Sequence, residues 1–164
     1  MDVNGFLKSP ELIVFDLDFT LWDCGGTWCD CLRPPFSKRD GKVLDAHGRH
    51  IYLYPEVMSI IQEAEDLGIP TGIASRTDRP DWARRLLELL GVDEKFAFQE
   101  IFPGSKITHL QNISQVSGVP MQAILFFDDE QRNLDDLEPL GVRSKLVPRG
   151  MNKELFSKGL ELFS

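Results

Sequence analysis

Short all-apolar runs alternate along the chain with longer stretches whose apolar residues recur at helical spacing. Leu12–Phe15 is apolar throughout and stops at Asp16, as a strand buried on both faces should. Ile69–Ala74, Ala97–Ile101, Ala123–Phe127 and Val142–Val147 are further strand candidates, with Ala123–Phe127 the most hydrophobic. Helical patterns lie between them. From Pro55 onward Val57, Ile60, Ile61, Ala64 and Leu67 share one face, and Gly68 supplies a stop. Pro80–Leu90 starts on a proline suited to a first helical turn and ends before Gly91. Ser105–Ser117 and Glu130–Leu140 are helical, the latter closed by Gly141. Asn152 is placed to cap a last helix with Leu155, Leu160 and Phe163 facing inward.

One region breaks the alternation. Asp23–Gly41 is irregular and rich in proline, glycine, cysteine and charge, so a loop is expected. Beyond it, Lys42–Asp45 and His50–Tyr54 flank a glycine-containing polar segment that signals a hairpin turn. Elsewhere strand follows helix. That order predicts an α/β fold of three layers, Rossmann-like, with a parallel central sheet and helices on both faces. At 164 residues the chain is expected to be a single domain, residues 1–164, with a core that needs no disulfides.

Composition narrows the partners. Eighteen Lys plus Arg against 26 Asp plus Glu leave a net charge of −8, which repels phosphate backbones and argues against nucleic acid. No apolar run approaches the roughly 20 residues of a membrane-spanning helix, and the N-terminus lacks the basic and apolar segments of a signal peptide. Cys24, Cys29 and Cys31 are an odd, local set and a poor disulfide framework, consistent with a reducing, cytoplasmic setting. Their spacing to one another and to His47 or His50 is not that of a structural zinc site. His109, inside a helical pattern, is expected to be a packing or surface residue.

The polar residues that follow the strands carry the chemistry. Asp16-Leu17-Asp18-Phe19-Thr20 follows the first strand, Ser75-Arg76-Thr77 the second, and Asp128-Asp129-Glu130 the Ala123–Phe127 strand, while Lys106 starts the helix after Pro103-Gly104. In a doubly wound sheet these ends share one edge, so segments distant in sequence meet in one crevice. Each has an ordinary explanation alone: a turn, a helix cap, a solvated lysine. Together they put Asp16, Asp18, Asp128 and Asp129 side by side, a patch that repels itself unless a cation sits within it. All-oxygen donors suit Mg²⁺. Lys106, Ser75 and Thr20 add a positive charge and donors for phosphate oxygens. A carboxylate nucleophile, with a second carboxylate two residues on as acid and then base, completes a site for phosphoryl transfer.

The order D-L-D-F-T, S-R-T, a lone lysine and F-F-D-D-E-Q-R-N resembles the haloacid dehalogenase (HAD) superfamily of aspartate-nucleophile phosphatases. F-D-L-D-F-T-L-W, L-Y-P-E-V, A-S-R-T, L-L-E-L-L and P-G-S-K-I-T-H, with the last motif, are similar more narrowly to the magnesium-dependent phosphatase 1 family, from about Leu12 to Gly150. The resemblance implies that Asp16 is the nucleophile and forms an aspartyl phosphate, with Asp18 as acid and then base. It implies Mg²⁺ held by Asp16, the Asp18 backbone carbonyl and Asp129, with Asp128 and Asn133 in support. Ser75, Arg76 and Lys106 would bind phosphate. Phe19 stands where this family often has tyrosine, and Asp23–Gly41 fits the family least well.

Many members of the superfamily carry a cap domain over the site; here the gaps between motifs leave room only for a hairpin in its place. An open site suits phosphate on a protein. The resemblance implies phosphotyrosine-type activity or protein-bound fructosamine 6-phosphate as substrate, and the protein is expected to act as a monomer. Phe19, Trp22 and Trp28 either rim the site or pack the hairpin onto the sheet. A receiver-like signalling module, which binds Mg²⁺ and accepts phosphate without turnover, is the alternative; but its acidic pair follows the first strand and its lysine comes last, the reverse of the order here.

Overall fold

A computed structural model of the chain describes residues 7–164. Its first strand, β1 (Leu12–Phe15), is central because every residue is apolar and fully buried. Next come β2 (Trp22–Asp23), β3 (Ser37–Arg39), β4 (Lys42–Leu44) and β5 (His50–Leu53), which form a separate antiparallel sheet in the order β2-β5-β4-β3. The chain then alternates through α1 (Val57–Asp66), β6 (Thr71–Ser75), α2 (Pro80–Leu89), β7 (Phe98–Ile101), α3 (Lys106–Ser117), β8 (Ile124–Asp128), α4 (Gln131–Leu137), β9 (Arg143–Leu146) and α5 (Lys153–Glu161). The main sheet is parallel throughout, in the order β7-β6-β1-β8-β9.

Alternation along the strands sorts the core into two halves. Ile13, Phe15, Ile73, Leu125 and Phe127 face one way, and meet Val57, Ile60 and Ile61 of α1, Leu86 of α2 and Phe156 of α5. Leu12, Val14, Ala74, Ile124 and Phe126 face the other way, toward Leu110 and Ile113 of α3 and Leu137 of α4. Phe15 and Phe127, paired in register across β1 and β8, stack at 5.4 Å. Gly159 of α5 comes so close that a Cβ there would lie 2.5 Å from the Phe127 ring, so the helix can approach the sheet only through glycine. This is the three-layer α/β arrangement expected from the sequence.

The chain leaves β1 toward β6 and β7, and later crosses back to β8 and β9 on its other side. The order therefore reverses around β1, and a crevice opens beyond the carboxyl ends of β1, β6 and β8. Register aligns those ends: Phe15 pairs with Phe127 on one side and Ile73 on the other, and the Asp16 N–H donates to the Phe127 carbonyl at 3.0 Å. Asp16, Asp128 and Ser75 thus stand at adjacent strand ends.

Three expectations change. Asp23–Gly41 is not wholly a loop, since Ser37–Arg39 pairs with Lys42–Leu44 and, with Trp22–Asp23 paired to the far side of β5, extends the expected hairpin into a four-stranded sheet. Three polar residues are too few to show a period, and their pairing depends on a neighbour that is itself short. Leu67, expected inward, is 53 % exposed because the helix has already ended at Asp66. The last helical stretch before Gly141 is likewise split, with α4 ending at Leu137 and a 3₁₀ turn over Glu138–Leu140. No helix among the described residues is long and apolar enough to cross a membrane.

Candidate active site

The crevice is an open cleft of about 430 Å³, lined among others by Asp16, Asp18, Ser75, Arg76, Lys106, Asp129 and Asn133. Lys106 is its pivot. It occupies the first turn of α3, where Ser105 caps the helix by accepting the Thr108 N–H, and a positive charge there opposes the helix dipole. Two carboxylates offset that: Nζ lies 2.9 Å from Asp16 Oδ1 and 3.2 Å from Asp128 Oδ2, and it also donates to the Ala74 carbonyl. Burial alone would push this lysine down, but the attraction of Asp16 and Asp128 more than compensates, so it stays charged.

Asp128 is engaged at both oxygens. Oδ1 accepts the Glu130 N–H at 2.8 Å, and Oδ2 accepts the Asn133 side-chain amide at 3.0 Å as well as Lys106. Asn133 in turn accepts from Arg76 Nη1 at 3.2 Å, so a continuous chain runs from the exposed Arg76 to the buried Asp16. Ser75 is buried at the end of β6 and its Oγ accepts the Thr77 N–H.

Asp16, Asp128 and Asp129 bring carboxylate oxygens within 4.8 Å of one another, the single such cluster of metal-ligating side chains among the described residues. Burial, followed by the Asp16 and Asp128 charges, pushes Asp129 up to about 9. Burial and Asp16 also raise Asp128, against the pull of Lys106. One lysine does not neutralise three carboxylates. A hard divalent cation would, because it favours their charged forms, and the all-oxygen donor set is that of Mg²⁺ rather than of a metal that prefers nitrogen or sulfur. The residues present fit the ion. Cys24, Cys29, Cys31, His47 and His50 form no comparable cluster among the described residues.

Asp18 is held apart from this group. A tight turn follows β1, with Phe19 at φ 62° and the Leu17 carbonyl accepting from the N–H groups of Thr20 and Leu21. The turn sends Asp18 to the side, where Oδ1 accepts the Trp22 indole N–H at 2.8 Å and the Cys29 N–H at 3.0 Å. Burial raises Asp18 against these hydrogen bonds, which suits a carboxyl group that must carry a proton. The Cys24 and Cys29 thiols are both pushed up by burial and by Asp18, so both keep their protons.

One residue falls elsewhere than expected. Thr20 is fully buried; its hydroxyl donates to Asp16 Oδ2 at 3.3 Å and its N–H to Leu17, so both donors are spent inside the fold. It orients Asp16 rather than meeting phosphate. Of the two roles open to the aromatic residues, Trp22 takes packing, buried beneath Asp18, while the 53 % exposed Trp28 lines the cleft with Phe19 in edge contact behind it at 5.8 Å. Sequence reasoning missed Asp30 and Arg132, which line the cleft, and Cys29. Arg132 follows the Asp128-Asp129 pair closely enough to have been found; Cys29 lies in irregular sequence with no periodic signal.

A parallel sheet with reversing strand order, paired aspartates beyond its first strand, and a lysine and an acidic pair beyond later ones define a hydrolase of the HAD class. The model of the acid phosphatase family matches residues 8–164. Human magnesium-dependent phosphatase 1 is 45 % identical over 159 residues, covering 96 % of this chain and 89 % of its own. A fission-yeast protein described as a member of the HAD-like hydrolase superfamily is 36 % identical over 149 residues, covering 83 % of this chain and 84 % of its own. The fold recurs in a crystal structure of a predicted phosphoglycolate phosphatase from Haemophilus somnus, at TM-score 0.64 and 17 % identity over 90 % of this chain and 89 % of that one. The chain belongs to the magnesium-dependent phosphatases of the acid phosphatase family, within the HAD superfamily.

Proposed function

We propose that the chain hydrolyses phosphate monoesters carried on proteins, of the phosphotyrosine type or as protein-bound fructosamine 6-phosphate, through an aspartyl-phosphate intermediate. The observation that carries the mechanism is the ion pair of Lys106 with Asp16, with Asp18 close by and donors from Ser75 and Arg76 lining the same cleft. Asp16 and Asp129, with the Asp18 backbone carbonyl, would hold Mg²⁺, with Asp128 and Asn133 in support. When bound, the ion supplies Lewis-acid stabilisation of charge on the phosphoryl oxygens.

Lys106 and Thr20 fix the Asp16 carboxylate so that one oxygen can meet phosphorus in line. As the phosphorus–oxygen bond to the leaving group breaks, Asp18 gives its proton to that oxygen. Asp18 then takes a proton from the water that attacks the phosphorylated Asp16, and Asp16 leaves as a carboxylate. Arg76 and Ser75 face the phosphoryl oxygens and position them.

The openness of the cleft supports a protein-borne substrate. Between β1 and α1 the chain inserts the small antiparallel sheet and the Cys29–Cys31 turn, and Trp28 offers an exposed aromatic face at the mouth. Turnover of para-nitrophenyl phosphate with Mg²⁺, with EDTA and as Asp16→Asn tests the chemistry. Activity lost in both of the latter is expected. No turnover by folded, Mg²⁺-loaded protein, with a stable phosphate on Asp16, would instead make it a phospho-aspartate signalling module. A phosphotyrosine peptide set against a glycated, phosphorylated protein then separates the two substrate classes.

A further inference from the structure

We propose that Cys29 is the positioning residue for the general acid, fixing Asp18 so that Oδ2 is the oxygen that delivers and later collects the proton. The inference rests on the role given to Asp18 above. Asp18 Oδ1 is already saturated: it accepts the Trp22 indole N–H at 2.8 Å and the Cys29 N–H at 3.0 Å, and the Cys24 sulfur lies 3.8 Å away. Those donors come from the buried side of the carboxylate, and no proton can be exchanged there without breaking them. Among the described residues Oδ2 has a single neighbour of this kind, the Cys29 sulfur at 3.5 Å.

The Cys29 sulfur also lies 3.3 Å from the Thr77 hydroxyl, which accepts the Arg79 N–H at 3.2 Å. Thr77 can then direct its own proton at the sulfur, leaving the thiol proton for Asp18 Oδ2. Thr77 stands beside Ser75 and Arg76 in the cleft, and its N–H donates to Ser75 Oγ. Cys29 therefore ties the acid to the phosphate-binding segment, across 48 residues of sequence. A thiol is a weak donor, so Oδ2 is steered without being locked, as proton transfer requires. Cys29 exchanges no proton with the substrate itself and acts only through Asp18.

A misplaced acid matters in proportion to the need of the leaving group for a proton. The test is kcat/KM, which reports formation of the phosphoenzyme and not its hydrolysis, for two substrates: para-nitrophenyl phosphate, whose leaving group departs unaided, and an alkyl phosphate such as glycerol 2-phosphate, whose leaving group does not. In Cys29→Ala we expect about a tenfold loss on the alkyl phosphate, small against the full contribution of general acid catalysis, and less than about twofold on the nitrophenyl ester. Cys29→Ser, which keeps a donor, should recover most of the loss. Cys29→Val fills the site without a donor and carries the same expectation as alanine should the alanine variant not fold. Equal losses on both substrates, or no recovery with serine in a natively folded protein, would overturn the proposal. Wild-type protein that turns over neither substrate would overturn the phosphatase mechanism first and this inference with it.

Discussion

Lys106 Nζ stands 2.9 Å from Asp16 Oδ1 with 1 % of the lysine side chain exposed, an ion pair formed across 90 residues of sequence. A buried ammonium group survives there because Asp128 supplies a second carboxylate at 3.2 Å and the Ala74 carbonyl a third acceptor. Lys106→Met removes the cation but leaves both carboxylates buried. The expected cost is about 3–5 kcal/mol of stability, together with loss of turnover. Chemical denaturation with and without Mg²⁺ checks it, since a divalent ion among the same carboxylates should restore part of the loss. Unchanged stability in the metal-free variant would contradict this account of the site.

Metal affinity should depend on pH. With Asp129 pushed up to about 9, chiefly by burial and then by Asp16, a proton competes with the cation below that pH. Affinity for Mg²⁺ is expected to rise about tenfold per pH unit from 6 toward 9 and to level off above it. Calorimetry at pH 7 in buffers of different ionisation enthalpy should register release of a proton on binding. Equal heats in both buffers would refute this. Asp129→Asn, which cannot be protonated in this range, should flatten the pH dependence and weaken binding.

His109 makes a separate prediction about acid stability. It is fully buried in α3, its Nε2 lies 2.9 Å from the Phe102 carbonyl, and its Nδ1 has no partner among the described residues. Burial, joined by the charges of Lys106 and Arg76 and opposed by the Phe102 hydrogen bond, holds its pKa down to about 4. The unfolded chain, with an ordinary histidine, binds this proton first as pH falls, so the folded state loses stability between about 6.5 and 4. Across that window the loss is about 3 kcal/mol. His109→Gln keeps a donor for Phe102 and cannot titrate. Its stability should fall less steeply through that window, as urea titrations at pH 7 and pH 4.5 would reveal.

Gly159→Ala would improve helix propensity by roughly 1 kcal/mol on an exposed surface. Here the added methyl meets the Phe127 ring at 2.5 Å, and that ring is fixed by its stack on Phe15. The change is expected to destabilise the protein by about 1–3 kcal/mol. A melting temperature at or above that of the wild type would show that α5 can move away from the sheet.

The sequence by itself determined the layer architecture and the list of chemical groups. Apolar runs ending at Asp16, Ser75 and Asp128 identify buried parallel strands, because a strand covered on both faces has no polar alternation to confuse it. Polar residues directly beyond such strands must gather at one edge, so Asp16, Asp18, Ser75, Lys106 and Asp129 were legible before any coordinate. Local pattern could not tell what each group touches. The turn after β1 commits Thr20 to Asp16 instead of phosphate, and it buries Trp22 under Asp18 where the sequence leaves rim and packing both open. Ser37–Arg39 became a strand through a partner rather than a period, and Cys29 reached Asp18 from a single 3₁₀ turn too short to leave a sequence pattern. Periodicity records which side of an element faces the core. Contacts between elements depend on register and on loop paths, which are set when the whole chain minimises its exposed apolar surface and its unpaired polar groups together.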